Sequence, residues 1–312
     1  MKNTLMYYYN FNEITIIKHY KITYIKDDQN LYVFCRVKNI NETIEIYNIT
    51  KNIPGFYKFK INKHGDIFTP YNDNTYVLLK IPKNNYNLNW FKKPIKIINQ
   101  SQKNYLDRTN WYDLWTKKTD YFEYQHIHIK GKYKTIDESI NYYVGMAENA
   151  ISYISYISML NNESESKTIC HRRIVPNAWD PLSCVIDYKE RELSEYLKYI
   201  FMNNEYQNVD IAKTIEEFNC TEYGLQLLAG RMLYPSFYFD TCEKIINERE
   251  EESKLVSIIK RSEEYEEYVA NIFSIINDKN KIKNIDWLWL IYIFNLFYFW
   301  DFVNYQFFYA IF

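Results

Sequence analysis

The chain has 312 residues, with 38 Lys+Arg against 39 Asp+Glu and a formal net charge of −1. That length suits one large domain or two lobes with a proper core, and the balanced charge excludes a nucleic-acid binder that relies on a basic excess to neutralise phosphates. Only six Gly occur and no two lie closer than six residues, which excludes a Walker loop and a dinucleotide fingerprint, where clustered glycines let the backbone approach phosphate.

The N-terminus "MKNTLMYYYNFNEITIIKHY" has no uninterrupted apolar run and no small-residue cleavage site, and is not expected to be a signal peptide. The 33 Tyr, with abundant Asn, Ile, Lys and Phe, share AT-rich codons and read as genomic composition rather than an aromatic binding surface. Cys35, Cys170, Cys184, Cys220 and Cys242 are scattered and odd in number, as expected of reduced thiols in a cytoplasmic protein.

Residues 20–37, "YKITYIKDDQNLYVFCRV", form two β-rich runs about the polar turn Asp27–Asn30, a hairpin signal. Residues 42–53 predict a short helix that Pro54-Gly55 ends. Residues 56–81 alternate again, with turns at His64–Asp66 and Tyr71–Asn74. The expectation is a small antiparallel β-rich lobe with one helix over 1–81, then a linker over 82–102 rich in Asn and Pro.

From about residue 103 the period becomes helical. Residues 110–127 and 135–160 carry apolar residues three and four apart, and Thr135 with Glu138 has capping-box spacing. His126 and His128 alternate as on a strand, but no carboxylate or Cys supports a metal site there. Further helical segments follow the stretch "TICHRRIVPNAWDPLSCVIDYKERELSEYL" (168–197), and "INEREEESKL" reads as a solvated helix face with the pair Glu250–Lys254. The larger helical lobe is placed at 103–288.

Four local patterns occur in order: "GMAENAISYI" (145–154), "TICHRRI" (168–174), "VIDYKERELSEYLKYI" (185–200) and "RMLYPSFYFD" (231–240). Together they resemble the spore-coat-associated, kinase-like family of endospore-forming bacteria, the CotS/YutH type, a branch of the aminoglycoside phosphotransferase and choline kinase fold. The resemblance covers roughly residues 20–288 and is densest over 140–245. It implies an α+β, bilobal, protein-kinase-like fold.

What the resemblance implies about the site can be set against the residues present. Active members of the wider fold need a phosphate-orienting Lys held by a Glu, an Asp base in a His-x-Asp loop, an Asn five residues later and an Asp that holds Mg²⁺. His171 falls on the loop His, and Arg173 stands at the Asp position. Arginine is protonated at any accessible pH and cannot be a general base. Ala178 replaces the Asn, with Asn177 one position early. Asp187 matches the metal-holding Asp, and Arg191-Glu192 match the pair that opens the next helix. Arg36 and Lys38 are the candidates for phosphate contacts, with Glu42 or Glu45 as partner. The acidic turn Asp27–Asn30 lacks the glycines and positive potential that phosphates favour.

The tail 289–312 is apolar and aromatic, interrupted by Asp301, Asn304 and Gln306. Three readings stay open: a membrane anchor, a helix packed on the large lobe or on a partner, or a reading-frame artefact, since family members resemble this chain only to about residue 288. The main expectation is a catalytically degenerate, pseudokinase-like protein that acts through coat or sporulation proteins. One alternative is an ATP- and Mg²⁺-dependent phosphotransferase with Asp180 as base and Asp187 on the metal. Another is a membrane-tethered structural protein.

Overall fold

The computed structural model describes residues 1–19, 22–82, 95–96, 105–160, 165–174 and 180–279. It divides the chain into two units: residues 1–109 with 166–192, and residues 110–165 with those from 193 onward. Most of the expected linker 82–102, the positions Asn177 and Ala178, and the whole tail 289–312 lie outside the described residues.

In the first unit, α1 (Lys2–Tyr9) precedes the strands β1 (Thr15–His19), β2 (Ile22–Lys26) and β3 (Leu31–Arg36). Helix α2 (Ile40–Thr50) follows, then β4 (Lys58–Phe59), β5 (Phe68–Tyr71) and β6 (Asn74–Lys80). The sheet runs β1-β2-β3-β6-β4, with β5 also on β6, and every pairing is antiparallel. The Asp27 carboxylate shapes the β2–β3 turn by accepting the N–H groups of Gln29 and Asn30 at 2.9 and 2.6 Å, an Asx turn in which a side chain takes the place of a backbone acceptor. Asn72 and Asp73 take left-handed φ values of 45° and 57° in the β5–β6 turn, as a two-residue hairpin requires.

Strand alternation sorts the β3 side chains. Tyr32 and Phe34 enter a core with Leu5, Tyr9, Ile14, Ile25 and Leu78, which leaves Val33 and Cys35 on the opposite face. A second small sheet joins β7 (Ile95–Lys96), β8 (Lys167–His171) and β9 (Cys184–Tyr188), also antiparallel. Ile169, Cys184 and Ile186 of this sheet share a core with Ile46 of α2, Phe56 and Leu106. The hairpin that carries the candidate loop therefore packs on the helix that carries the candidate glutamates.

The second unit is helical: α3 (Trp111–Ile129), α4 (Lys134–Leu160), α5 (Glu190–Met202), α6 (Ile211–Phe218), α7 (Glu222–Leu233), α8 (Ser236–Ile246), α9 (Glu252–Ile259) and α10 (Ser262–Lys279). Helix α5 opens within the first unit, and its residues from Leu193 belong to the second. Gly230 lets α7 approach α4: a Cβ there would lie 2.5 Å from Ile154 Cδ1 and 3.1 Å from Tyr153 Cδ1. Arg231 is buried between aromatic and acidic groups, 4.8 Å over the Trp111 ring and 2.7 Å from Glu195 Oε1. The Lys198 ammonium, also buried, donates to the carbonyls of Arg231 and Tyr234 at 2.6 and 2.8 Å and so satisfies the end of α7.

Three local expectations are corrected. His126 and His128 lie on α3, not a strand, and His126 Nε2 sits 2.8 Å from Asp137 Oδ1; the helical period of the preceding residues simply continues through them. Thr135 does not form a capping box, because α4 already begins at Lys134 and the Thr135 N–H donates to Glu252 at 2.9 Å. Glu250 precedes α9, so it forms no i,i+4 pair with Lys254. The five cysteines are free thiols. No described helix is long and apolar enough to cross a membrane.

Candidate functional site

Strand β8 ends at His171, and the chain returns through Asp180 and a short 3-10 turn, Pro181–Ser183, into β9. His171 is buried, and its ring Nδ1 lies 3.3 Å from Glu192 Oε1, which also accepts the His171 backbone N–H. Arg191 reaches across the same loop. Its Nε donates to the His171 carbonyl at 2.9 Å, its Nη2 to the Arg172 carbonyl at 3.1 Å and its Nη1 to Asp187 Oδ2 at 2.7 Å. Two residues at the start of α5 thus fix the loop backbone from inside.

Asp187 is completely buried. Its second oxygen accepts the Tyr188 N–H at 2.9 Å. The expected metal-holding carboxylate is therefore the anionic half of a buried ion pair, in which each charge compensates the desolvation of the other. No group of three or more His, Cys, Asp or Glu among the described residues has a metal-holding arrangement. Arg173, half-buried, donates from Nη1 to the Arg172 carbonyl at 2.7 Å.

The glutamates of α2 are both committed. Asn39 caps the helix by accepting the Glu42 N–H at 3.2 Å, which places the Glu42 carboxylate in the first turn. That carboxylate receives Arg172 Nη2 at 2.6 Å on one oxygen and Arg108 Nη2 at 2.9 Å on the other. Glu45 accepts the Leu106 N–H at 3.2 Å; burial raises its pKa, against the lowering effect of the backbone N–H bonds. Arg36 and Lys38 are exposed, and neither forms an ion pair with Glu42 or Glu45 among the described residues. Lys58 is spent on the end of α2, donating to the carbonyls of Thr50, Lys51 and Ile53.

The face of β3 opposite the Tyr32–Phe34 core presents Cys35 rather than a cation. Burial, and then the negative charge of Asp180, push the Cys35 thiol up. Burial raises Asp180 as well, although it caps the 3-10 turn by accepting the Leu182 N–H at 2.9 Å. Tyr57 is raised by burial and by the same carboxylate. Asp180, Cys35 and Tyr57 therefore act on one another electrostatically. Cys170 and Cys184, raised by burial and by Glu192, are inert as nucleophiles at neutral pH.

The sequence named Glu42, Asp187, Arg191 and Glu192, but not Arg108 and Arg172 as the partners of Glu42. The roles of Arg108, Arg172, Cys35 and Tyr57 were missed. Alternation on β3 assigns Cys35 to its face, but no spacing rule connects residue 172 with residue 42.

The profile of the family described as "Spore coat putative kinase YutH" matches residues 2–272. This chain belongs to that family. The Endospore coat-associated protein YutH of Bacillus subtilis (strain 168) is 27% identical over 206 residues, 57% of this chain. The chain spans 61% of the length of that relative. The crystal structure of an aminoglycoside phosphotransferase from Alicyclobacillus acidocaldarius superimposes with a TM-score of 0.56, over 89% of this chain and 96% of that one, at 9% identity. At that identity the likeness establishes the fold: α+β, protein-kinase-like and of the aminoglycoside phosphotransferase type. The family match extends well beyond the four patterns that first pointed to the YutH type, and includes the whole of the first sheet.

Proposed function

We propose that this YutH-family protein is a catalytically degenerate, pseudokinase-like member of its fold that acts in the spore coat through protein partners. The observation that carries the reading is the double occupation of Glu42 by Arg108 and Arg172. In an active site of this fold a glutamate on the corresponding helix would orient a phosphate-binding lysine. Here it is bonded to two arginines, one of them from the candidate catalytic loop. Arg173 at the base position and the Asp187–Arg191 pair support the same reading. The described residues fit a magnesium–nucleotide poorly: the metal-candidate carboxylate is already bonded on both oxygens, and the β3 face opposite the core offers a thiol under the influence of the Asp180 carboxyl.

The test uses the full chain with ATP and Mg²⁺ or Mn²⁺, read by thermal unfolding and by phosphate transfer. A ligand held only by the folded state adds about 2.7 kcal/mol at a hundred times its Kd, so binding is readily seen. The reading expects no shift and no transfer. Transfer that disappears in Asp187→Asn would overturn it. For the partner role, spores that make an Arg173→Ala, Asp180→Asn protein are expected to assemble a normal coat.

A second reading, an active phosphotransferase with Asp180 as base, draws on one observation. Burial raises the pKa of Asp180, and a carboxyl raised in this way is a common feature of catalytic acids and bases. Loss of measured transfer in Asp180→Asn, with folding intact, would favour it.

A further inference from the structure

The first unit has a groove of about 560 Å³ at one end of its larger sheet, between the α1–β1 connection, the β2–β3 turn and β4. That volume falls among small-ligand sites, which span roughly 300–1,000 Å³. Phe11 and Phe59, both partly exposed, give the groove an apolar floor.

Six ionic side chains line it, and two of them are spent. The Asp27 carboxylate accepts the Gln29 and Asn30 amides and, at 3.0 Å, the Tyr32 hydroxyl. Lys58 is committed to the carbonyls at the end of α2. The other four are Glu13, Asp28, Lys60 and Lys80. Three of these are exposed and Lys60 is partly so. None of the four side chains has a hydrogen bond or an ion pair among the described residues, although two of each sign share the groove. The Lys60 ammonium instead lies 5.0 Å from the centre of the Phe11 ring and 5.6 Å from that of Tyr32.

The two signs are segregated. Lys80 lies opposite both Tyr32 and Lys58 in the sheet register, and Lys60 follows β4 with its N–H on the Leu78 carbonyl at 2.8 Å. Both cations thus stand on the sheet side, beside Tyr32. Glu13 belongs to the α1–β1 connection and Asp28 to the β2–β3 turn, so both carboxylates stand on the loop side. A simple anion would gain at one side and be repelled at the other, and a simple cation would meet the reverse. A ligand with both signs gains at both, because complementary charge selects partner and register.

We infer that this groove is a binding site for a short peptide segment that carries one acidic and one basic side chain. Its carboxylate would face Lys60 and Lys80, and its cation Glu13 and Asp28. The lining shares no residue with α2 or the β8–β9 loop, so the inference holds whether or not that loop is catalytic.

The probes are the acetylated, amidated peptides Glu-Ala-Ala-Arg, Arg-Ala-Ala-Glu, Glu-Ala-Ala-Gln, Gln-Ala-Ala-Arg and Gln-Ala-Ala-Gln, with the full chain, by ligand-observed NMR at low salt. The better of the two doubly charged peptides is expected to bind most tightly, by about 1.5- to fivefold for each charge, the range of an exposed ion pair. That advantage should shrink as salt is added. Lys60→Gln with Lys80→Gln should erase the preference for Glu over Gln and keep the preference for Arg over Gln. Glu13→Gln with Asp28→Asn should do the opposite. If either double variant fails to fold, Lys80→Gln and Asp28→Asn alone, both at exposed positions, should each weaken the matching preference. Lys244→Gln, on α8 and outside the groove, should change nothing. Absence of binding by both doubly charged peptides up to their solubility limit overturns the inference. So does equal binding of the neutral peptide, or a charge preference that survives the variants that remove its partners.

Discussion

Arg172 Nη2 lies 2.6 Å from Glu42 Oε2, joining the candidate loop to the first turn of α2 across 130 residues of sequence. Both side chains keep some solvent contact, at 44% and 22% exposure, so the pair is screened. Arg172→Ala should lower stability by about 0.2–1 kcal/mol. Its coupling to Glu42→Ala should be of the same size in a double-mutant cycle followed by urea unfolding. A coupling near zero would mean that Arg108 alone satisfies the carboxylate.

Asp187 and Arg191 are expected to behave differently, because neither has water to fall back on. Asp187→Ala leaves the guanidinium buried without its counter-charge and should cost about 3–5 kcal/mol. The double variant Asp187→Leu, Arg191→Met should recover part of that loss. Equilibrium denaturation of the two single variants and the double variant checks this. A harmless Asp187→Ala would show that the ion pair is not what holds the loop.

Asp107 provides an acid-side signature. Burial alone would raise its carboxyl, but the Lys167 ammonium at 2.5 Å and the Thr109 hydroxyl and N–H outweigh that, and its pKa is lowered. A carboxylate with a lowered folded-state pKa contributes stability that is present above its unfolded value, near pH 4, and is lost as pH falls through the folded value. Lys167→Met should therefore destabilise the protein at pH 7 and make its loss of stability below pH 4 shallower. The measurement is thermal unfolding from pH 2.5 to pH 7, and an unchanged slope would rule out this contribution.

Gly230→Ala should cost about 1–3 kcal/mol through overpacking. The added methyl meets the end of Ile154, which can rotate, and Tyr153 Cδ1, which is fixed within the helix contact. Ile154→Val in the same chain should relieve much of the loss. If Gly230→Ala proves neutral, α7 and α4 have room to separate.

What could be read from sequence was local. Asp27 sits where a short polar side chain can bond the following amides, so the β2–β3 hairpin was legible. Asn72 and Asp73 mark the second turn in the same way. Helix α1 was not legible, because only Leu5 and Tyr9 of its eight residues are buried and so short a pattern has no period to detect. The assignment of Thr135 to a capping box failed because its amide found Glu252, 117 residues away. The loop shows the same division. Its deviation from an active pattern is visible in the sequence at Arg173 and Ala178, whereas the commitment of Glu42 depends on Arg108 and Arg172, which the fold brings in from two separate segments.

The loop's backbone is held chiefly from outside position 173, by Arg191 and Glu192. In a kinase-like fold built this way, the residues that shape the loop are distinct from the residue that would do its chemistry. A lineage can therefore lose the base by a single codon change and inherit an intact backbone. Selection for a coat function would then preserve the scaffold while remaining blind to the missing acid. On the reading proposed above, the ancestry of an enzyme would stay recognisable long after turnover had ceased to matter.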